Sequence, residues 1–288
     1  MKAARPFDLA GKRAVLATMH GKEEVIGPVL EAGLGLSIEV PRPFDTDRFG
    51  TFSREVERKG SQLDAARAKL AAGLEASPEA SVGIASEGSF GPHPNIPLLA
   101  VGKEIVVLHD LDTKLEIVGC HIDLSPNYDH MVVEDIPSAL SFAKRVGFPA
   151  QGVVVIGIAG GVPIPSRYLT KRIDNEEHLV DSVGEALKAC GAAHLETDMR
   201  AHRNPTRMLS IKRAAEDLLN RYRRRCPACS RPGLAVGRRV FGLPCAWCGE
   251  PTLALKAEIE TCAGCGLSLE HPAPSSTAEP GECPQCNP

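Results

Sequence analysis

Aromatic side chains are scarce: 4% of 288 residues, with one Trp, three Tyr and eight Phe. That is too few for a broad face of base-stacking platforms. Charge of one sign is lacking as well. The formal net charge is -3, so no whole-protein field draws the chain to nucleic acid or to an anionic surface. Residues 1–11 hold no apolar run of signal-peptide length, and no stretch approaches the roughly 20 apolar residues that a membrane-spanning helix needs. A cytoplasmic, reducing compartment and no membrane partner are therefore expected. The apolar fraction of 43% is ordinary for a globular protein, and the length allows two domains or one domain with an appended module.

Cysteine, by contrast, is abundant and patterned. Eight of the ten fall into four Cys-x-x-Cys pairs: Cys226/Cys229, Cys245/Cys248, Cys262/Cys265 and Cys283/Cys286. Two thiolates on one tight turn grip one metal ion, and two such turns complete a closed tetrahedral Zn²⁺ site. Intervals of 15, 13 and 17 residues between the pairs suit short hairpins that each end in a knuckle, as in a zinc ribbon. Four disulfides are the competing use of these residues. They would be strained within Cys-x-x-Cys pairs and call for an oxidising compartment. Two structural zinc ions are expected, bound by sequential pairs or by a cross-braced arrangement of the same eight residues. Cys120 and Cys190 read as buried free thiols.

Upstream, residues 12–18 have the composition of a buried strand, and Val25, Ile26, Val29 and Leu30 share one helical face. Gly33 and Gly35 are expected to close that helix before residues 36–40 resume as strand. A βαβ opening favours an α/β fold: a mixed twisted sheet flanked by helices, followed by a small C-terminal zinc-ribbon-like module. The expected boundaries are an α/β domain over 1–203, a connecting helix over 204–225 and the cysteine module over 226–288.

Three polar stretches stand out as candidate sites. In Thr18-Met19-His20-Gly21-Lys22-Glu23 a glycine turn feeds a helix N-terminus, where free N–H groups and Lys22 suit a phosphate. A plain structural turn would look similar. Residues 86–94, Ser-Glu-Gly-Ser-Phe-Gly-Pro-His-Pro, read as a flexible active-site loop in which Glu87 serves as Mg²⁺ ligand or general base. A second polar loop is expected over residues 45–53. From Glu196 to Arg207, carboxylates, guanidiniums and an imidazole gather before a helix that Asn204 caps and Pro205 opens. Arg200, Arg203 and Arg207 suit an anionic substrate, although a salt-bridge cluster explains the same residues. His121, Asp123, Asp129 and His130 match no standard metal-ligand spacing.

Those three stretches, together with the double Cys-x-x-Cys tail, resemble an uncharacterised bacterial family to which no activity is assigned. Residues 16–91 are also weakly similar to the inosine/xanthosine triphosphate pyrophosphatases. Thr18 and Lys22 approximate that group's phosphate turn, with His20 in place of its asparagine. Residues 66–69, with Arg67 and Lys69, look like its basic helix, and residues 86–89, with Glu87, look like its metal loop. The resemblance implies a Mg²⁺-dependent nucleotide phosphohydrolase, or a relative that only binds a nucleotide. Thr18, His20, Lys22, Arg67 and Lys69 would hold phosphates, Glu87 and Asp198 would carry Mg²⁺, and Arg200 or Arg207 would steady developing charge. This requires Lys22, Glu87 and Arg200 to meet around one cavity. The alternative is a non-catalytic module whose ribbons and basic helix, with Arg223, Arg224 and Arg225, dock nucleic acid or a protein partner.

Overall fold

Strand β1 (Arg13–Ala17) is the axis of the first sheet, buried at every position but its first. The structure, a computed structural model, describes residues 7–46, 60–93 and 96–288, and only the backbone of residues 97 and 98. Of the expected 45–53 loop, residues 47–53 lie outside the described residues, as does Pro94. After β1 come α1 (Glu23–Leu34), β2 (Ser37–Glu39), α2 (Gln62–Ala76), β3 (Val82–His93), β4 (Ile96–Asp110) and β5 (Leu115–Asp123). The strand order is β2-β1-β3-β4-β5. β1 runs parallel to both β2 and β3, and β4 and β5 add antiparallel. Since β1 connects to β2 on one side while β3 lies on the other, the chain reverses direction across the sheet at the carboxyl end of β1. Ligands of open α/β sheets bind at such switch points.

Two sequence expectations change here. Gly33 does not end α1, because Gly35 does so in the left-handed region at φ 71°. Gly33 instead lies where a β-carbon would fall 2.6 Å from Leu219 Cδ1, so the missing side chain is a packing gap. The stretch expected as a loop over residues 86–94 is strand: β3 stays paired with β4 from Ser86↔Val106 to Pro92↔Ala100. Small residues there let neighbouring side chains close in, and pairing satisfies the backbone better than a free loop would.

The second sheet uses β6 (His130–Val133), β7 (Val153–Ala159), β8 (Val162–Pro163), β9 (Leu169–Thr170) and β10 (Ala193–Thr197). Its order is β6-β10-β7-β8, with β9 also on β7, and β10 is antiparallel to both neighbours. Helices α3 (Ile136–Val146) and α4 (Glu176–Cys190) cover it, and Phe142, Leu179, Val183 and Leu195 are fully buried in that layer. The α/β region is thus a mixed fold of two sheets. Helix α5 (Pro205–Arg223) opens on the Asn204 cap, whose Oδ1 accepts from Arg207 N at 2.8 Å.

Two compact units result, Leu9–Leu219 and a second formed by Asn220–Pro288 with Phe7 and Asp8. The second carries a three-stranded antiparallel sheet, β11 (Ala235–Phe241), β12 (Leu255–Thr261) and β13 (Ser268–Pro272). Its core is small: Cys226, Leu234 and Cys262, with Leu267 and Leu269 packed against them. Among the described residues no helix is long and apolar enough to cross a membrane.

Candidate functional site

Beside the carboxyl end of β1 and the middle of β3 lies a cluster of buried charges. Lys22, the first residue of the α1 cap, turns inward and is 6% exposed. Its Nζ donates to Ser86 Oγ at 2.9 Å and Ser86 O at 3.2 Å. Lys69, on the buried face of α2, pairs with Glu87 at 2.5 Å. Arg207, in the first turn of α5, pairs with Glu104 of β4 at 2.6 Å, with both side chains almost wholly buried. Arg207 also donates to Met199 O and lies over the Phe90 ring, 5.4 Å from its centroid. Gly88 makes room for this: a β-carbon there would sit 2.7 Å from Arg207 Nη2.

Among the described residues, three basic side chains thus share a buried site with two carboxylates. Burial, then Arg207, then Lys69 push the Lys22 amine down to about 7. Desolvation and like charge both disfavour its charged form, and the carboxylates offset them only in part. Two acceptors in this region are left open. Among the described residues, Thr18 Oγ1 and Glu104 Oε2 are buried without a hydrogen-bond partner.

On the outer side of the β1–α1 turn is a cavity of about 420 Å³, lined by Thr18, Met19, His20, Gly21, Arg42 and His202 among others. Its size suits a small ligand. The His20 and His202 rings stack at 5.2 Å. Burial, then the neighbouring Arg200, lowers the His202 pKa, which favours the neutral imidazole. No side chain caps α1, and Glu24 N and Val25 N donate instead to Gly21 O and Lys22 O at 3.1 and 3.2 Å.

Of the expected site residues, Thr18, His20, Lys22, Lys69, Glu87 and Arg207 come together around the switch point. Asp198 and Arg200 are spent on one another: Arg200 Nη2 and Nε reach Asp198 Oδ2 at 2.6 and 3.1 Å, and Arg200 Nη2 also donates to Lys171 O. Arg67 pairs with Glu116 through two hydrogen bonds, at 2.6 and 2.9 Å, on an exposed surface. Glu116 pairs in register with His109 and Glu104 with His121, so the two glutamates are separated by five residues of β4, about 17 Å along the strand. Glu104 was not singled out by sequence, whereas His202 is the imidazole of the expected cluster from Glu196 to Arg207. A place between Lys103 and the apolar run over residues 105–108 is the one sequence hint at Glu104. His121, Asp123, Asp129 and His130 form no metal-sized group among the described residues. Asp123 instead accepts from Ser210, and Asp129 pairs with Arg145.

The cysteine pairs assemble across the tail. Cys226, Cys229, Cys262 and Cys265 form one group, Cys245, Cys248, Cys283 and Cys286 the other, and within each the sulfurs lie within 4.8 Å of one another. The pairing is cross-braced, first with third and second with fourth. Edges of 3.6 and 3.6 Å in one group and 3.9 and 3.6 Å in the other fit a tetrahedron with Zn–S of about 2.3 Å, whose edges are about 3.8 Å. All ten cysteines are free of disulfides. Backbone N–H groups prepare one thiolate in each group. Those of Cys265 and Gly264 lower Cys262 to about 6, and those of Cys248 and Trp247 lower Cys245 to about 7. Each group can hold one metal ion, and two structural zinc ions fit.

A family model for a domain of unknown function, DUF6671, matches residues 71–288. The chain belongs to that family. The DUF6671 match includes both cysteine groups, Glu87, Glu104 and Arg207, while Thr18, Lys22 and Lys69 precede it. No curated protein matches the sequence.

Proposed function

We propose that the Leu9–Leu219 unit binds a phosphorylated small molecule of the nucleotide class at the switch point, and that the tail holds two structural zinc ions. The convergence of three basic side chains on one buried site carries this proposal. Among the described residues, Lys22, Lys69 and Arg207 are buried together with Glu87 and Glu104, and an anion beside Lys22 would favour its charged form. The open Thr18 Oγ1 and the ring-lined cavity at the β1–α1 turn support the same ligand class.

Hydrolysis is the finer form of this function. A bound Mg²⁺ neutralises phosphates and activates water. Glu87, once a phosphate draws Lys69 away, and the open Glu104 Oε2 fit such an ion. Asp198 does not fit, since Arg200 occupies its carboxylate. Thermal-shift titration with pyrophosphate and with nucleoside mono-, di- and triphosphates, with and without Mg²⁺, tests binding, and phosphate release across the same panel tests hydrolysis. Stabilisation that Lys69→Met removes is expected. The absence of any shift across the panel would defeat the proposal. Ligand-induced stabilisation without phosphate release would leave binding alone.

A further inference from the structure

The chain's single tryptophan is not in a core. Trp247 is 79% exposed on the Cys245–Cys248 knuckle, Leu253 is 79% exposed and Phe241 is 60% exposed. All three lie within thirteen residues of one hairpin, tied together by Gly242 N to Ala254 O at 3.1 Å and Thr252 N to Leu243 O at 3.1 Å. Large apolar side chains left exposed on one short hairpin mark an interaction surface. The backbone beneath them is fixed: Trp247 N donates to Cys245 Sγ at 3.4 Å, and Ala246 N donates to Ala278 O at 3.0 Å. Rigid support lets a large side chain act as an anchor without losing further entropy on binding. Leu253 also lines a groove of about 410 Å³ together with Ala254, Glu282, Pro284 and Asn287.

Charge selects the occupant. Residues 242–255 and 273–288, which build this lobe, contain Glu250, Glu279 and Glu282 and neither lysine nor arginine. A zinc ion with four thiolates adds two net negative charges. A phosphate backbone is repelled from such a surface. Most arginines of the tail are engaged elsewhere: Arg224 with Glu260, Arg225 over the Tyr222 ring, Arg231 over the Phe7 ring and Arg239, on the strand that ends at Phe241, with Glu258. We propose that the lobe built around the second cysteine group docks a cationic, leucine-rich segment of a partner protein, with its apolar side chains against Trp247 and Leu253 and its cations against the glutamates and the tetrathiolate. Apolar anchoring supplies affinity, and charge supplies specificity and rate.

Because Trp247 is the only tryptophan, its emission reports this surface alone. The zinc-loaded full chain is titrated with three synthetic peptides: one of leucine and arginine, one of leucine and glutamate, and one of serine and arginine. Only the leucine–arginine peptide is expected to shift the emission to the blue and saturate, with binding weakened by about 0.5 M salt. Leu253→Ser, and Trp247→Ala read by the anisotropy of labelled peptide, should each weaken binding about tenfold while the zinc content stays unchanged. Equal responses to all three peptides, or to none, would overturn the proposal. An equal shift with oligouridylate would overturn it in favour of nucleic acid. A shift that follows protein concentration alone would assign the surface to a second copy of the chain.

Discussion

Lys22 concentrates the energetics of the candidate site in one residue. A folded pKa of about 7, below the ordinary lysine value of 10.5, means that folding disfavours the charged amine. Between those values the unfolded chain binds more protons, so stability rises with pH from about 7 to 10.5. Lys22→Met is therefore expected to raise the melting temperature, most at or below pH 7 and progressively less above it. The same substitution should abolish anion binding. In the wild-type protein, anion affinity should fall above pH 7 by up to about tenfold per pH unit, because the ligand takes up the proton with Lys22. Calorimetric titration of pyrophosphate across pH 6–9 reads both effects. A purely structural lysine would instead lose stability on replacement.

Arg207 behaves oppositely. Removing it strands Glu104, 1% exposed and already lacking one partner. Arg207→Met should cost about 3–5 kcal/mol in chemical denaturation, with much of that recovered in Glu104→Leu/Arg207→Met. Failure of the second substitution to rescue would mean that Arg207 acts through Met199 O and Phe90 instead.

At the scale of elements, the site depends on how closely α5 approaches the first sheet. A β-carbon at Gly119 of β5 would strike the backbone of Ala214 and Leu218, and backbone cannot rotate aside as a side chain can. Cys120 N donates to Asp217 Oδ2 at 2.8 Å in the same contact. Gly119→Ala should displace α5, destabilise the unit by about 3 kcal/mol and weaken ligand binding by moving Arg207. Gly33→Ala meets only the tip of the Leu219 side chain and should be milder. Denaturant midpoints of the two variants compare them directly. Helix α2 owes its start to a reciprocal capping box of Ser61 and Asp64, which aims Lys69 inward from its second turn.

At the scale of the whole molecule, the cross-brace makes the tail one cooperative zinc-held object, since each metal group joins segments more than thirty residues apart. Zinc content by mass spectrometry of the intact chain distinguishes the pairings. Cys226→Ser/Cys265→Ser should lose one of two ions, whereas Cys226→Ser/Cys245→Ser should lose both. Sequential pairing would reverse these results. Small domains of this kind draw much of their folding free energy from metal, so chelation should disorder β11, β12 and β13.

Local chemistry was readable from residue order. Cys-x-x-Cys spacing, the Asn204–Pro205 helix start and the strand–turn–helix around Thr18 depend on neighbours a few positions apart, and the structure has all three. The sequence alone also determined that the tail has ligands for two metal ions and that the first half is α/β. Only the tertiary structure decided which knuckles share a metal, that residues 86–93 extend a strand, and that Arg67 and Asp198 are neutralised by Glu116 and Arg200. It alone brought Glu104 and Arg207, 103 positions apart, into one buried pair. The physical reason is that a charged side chain's role depends on the partner that desolvation forces upon it, and that partner comes from whichever distant segment packing delivers.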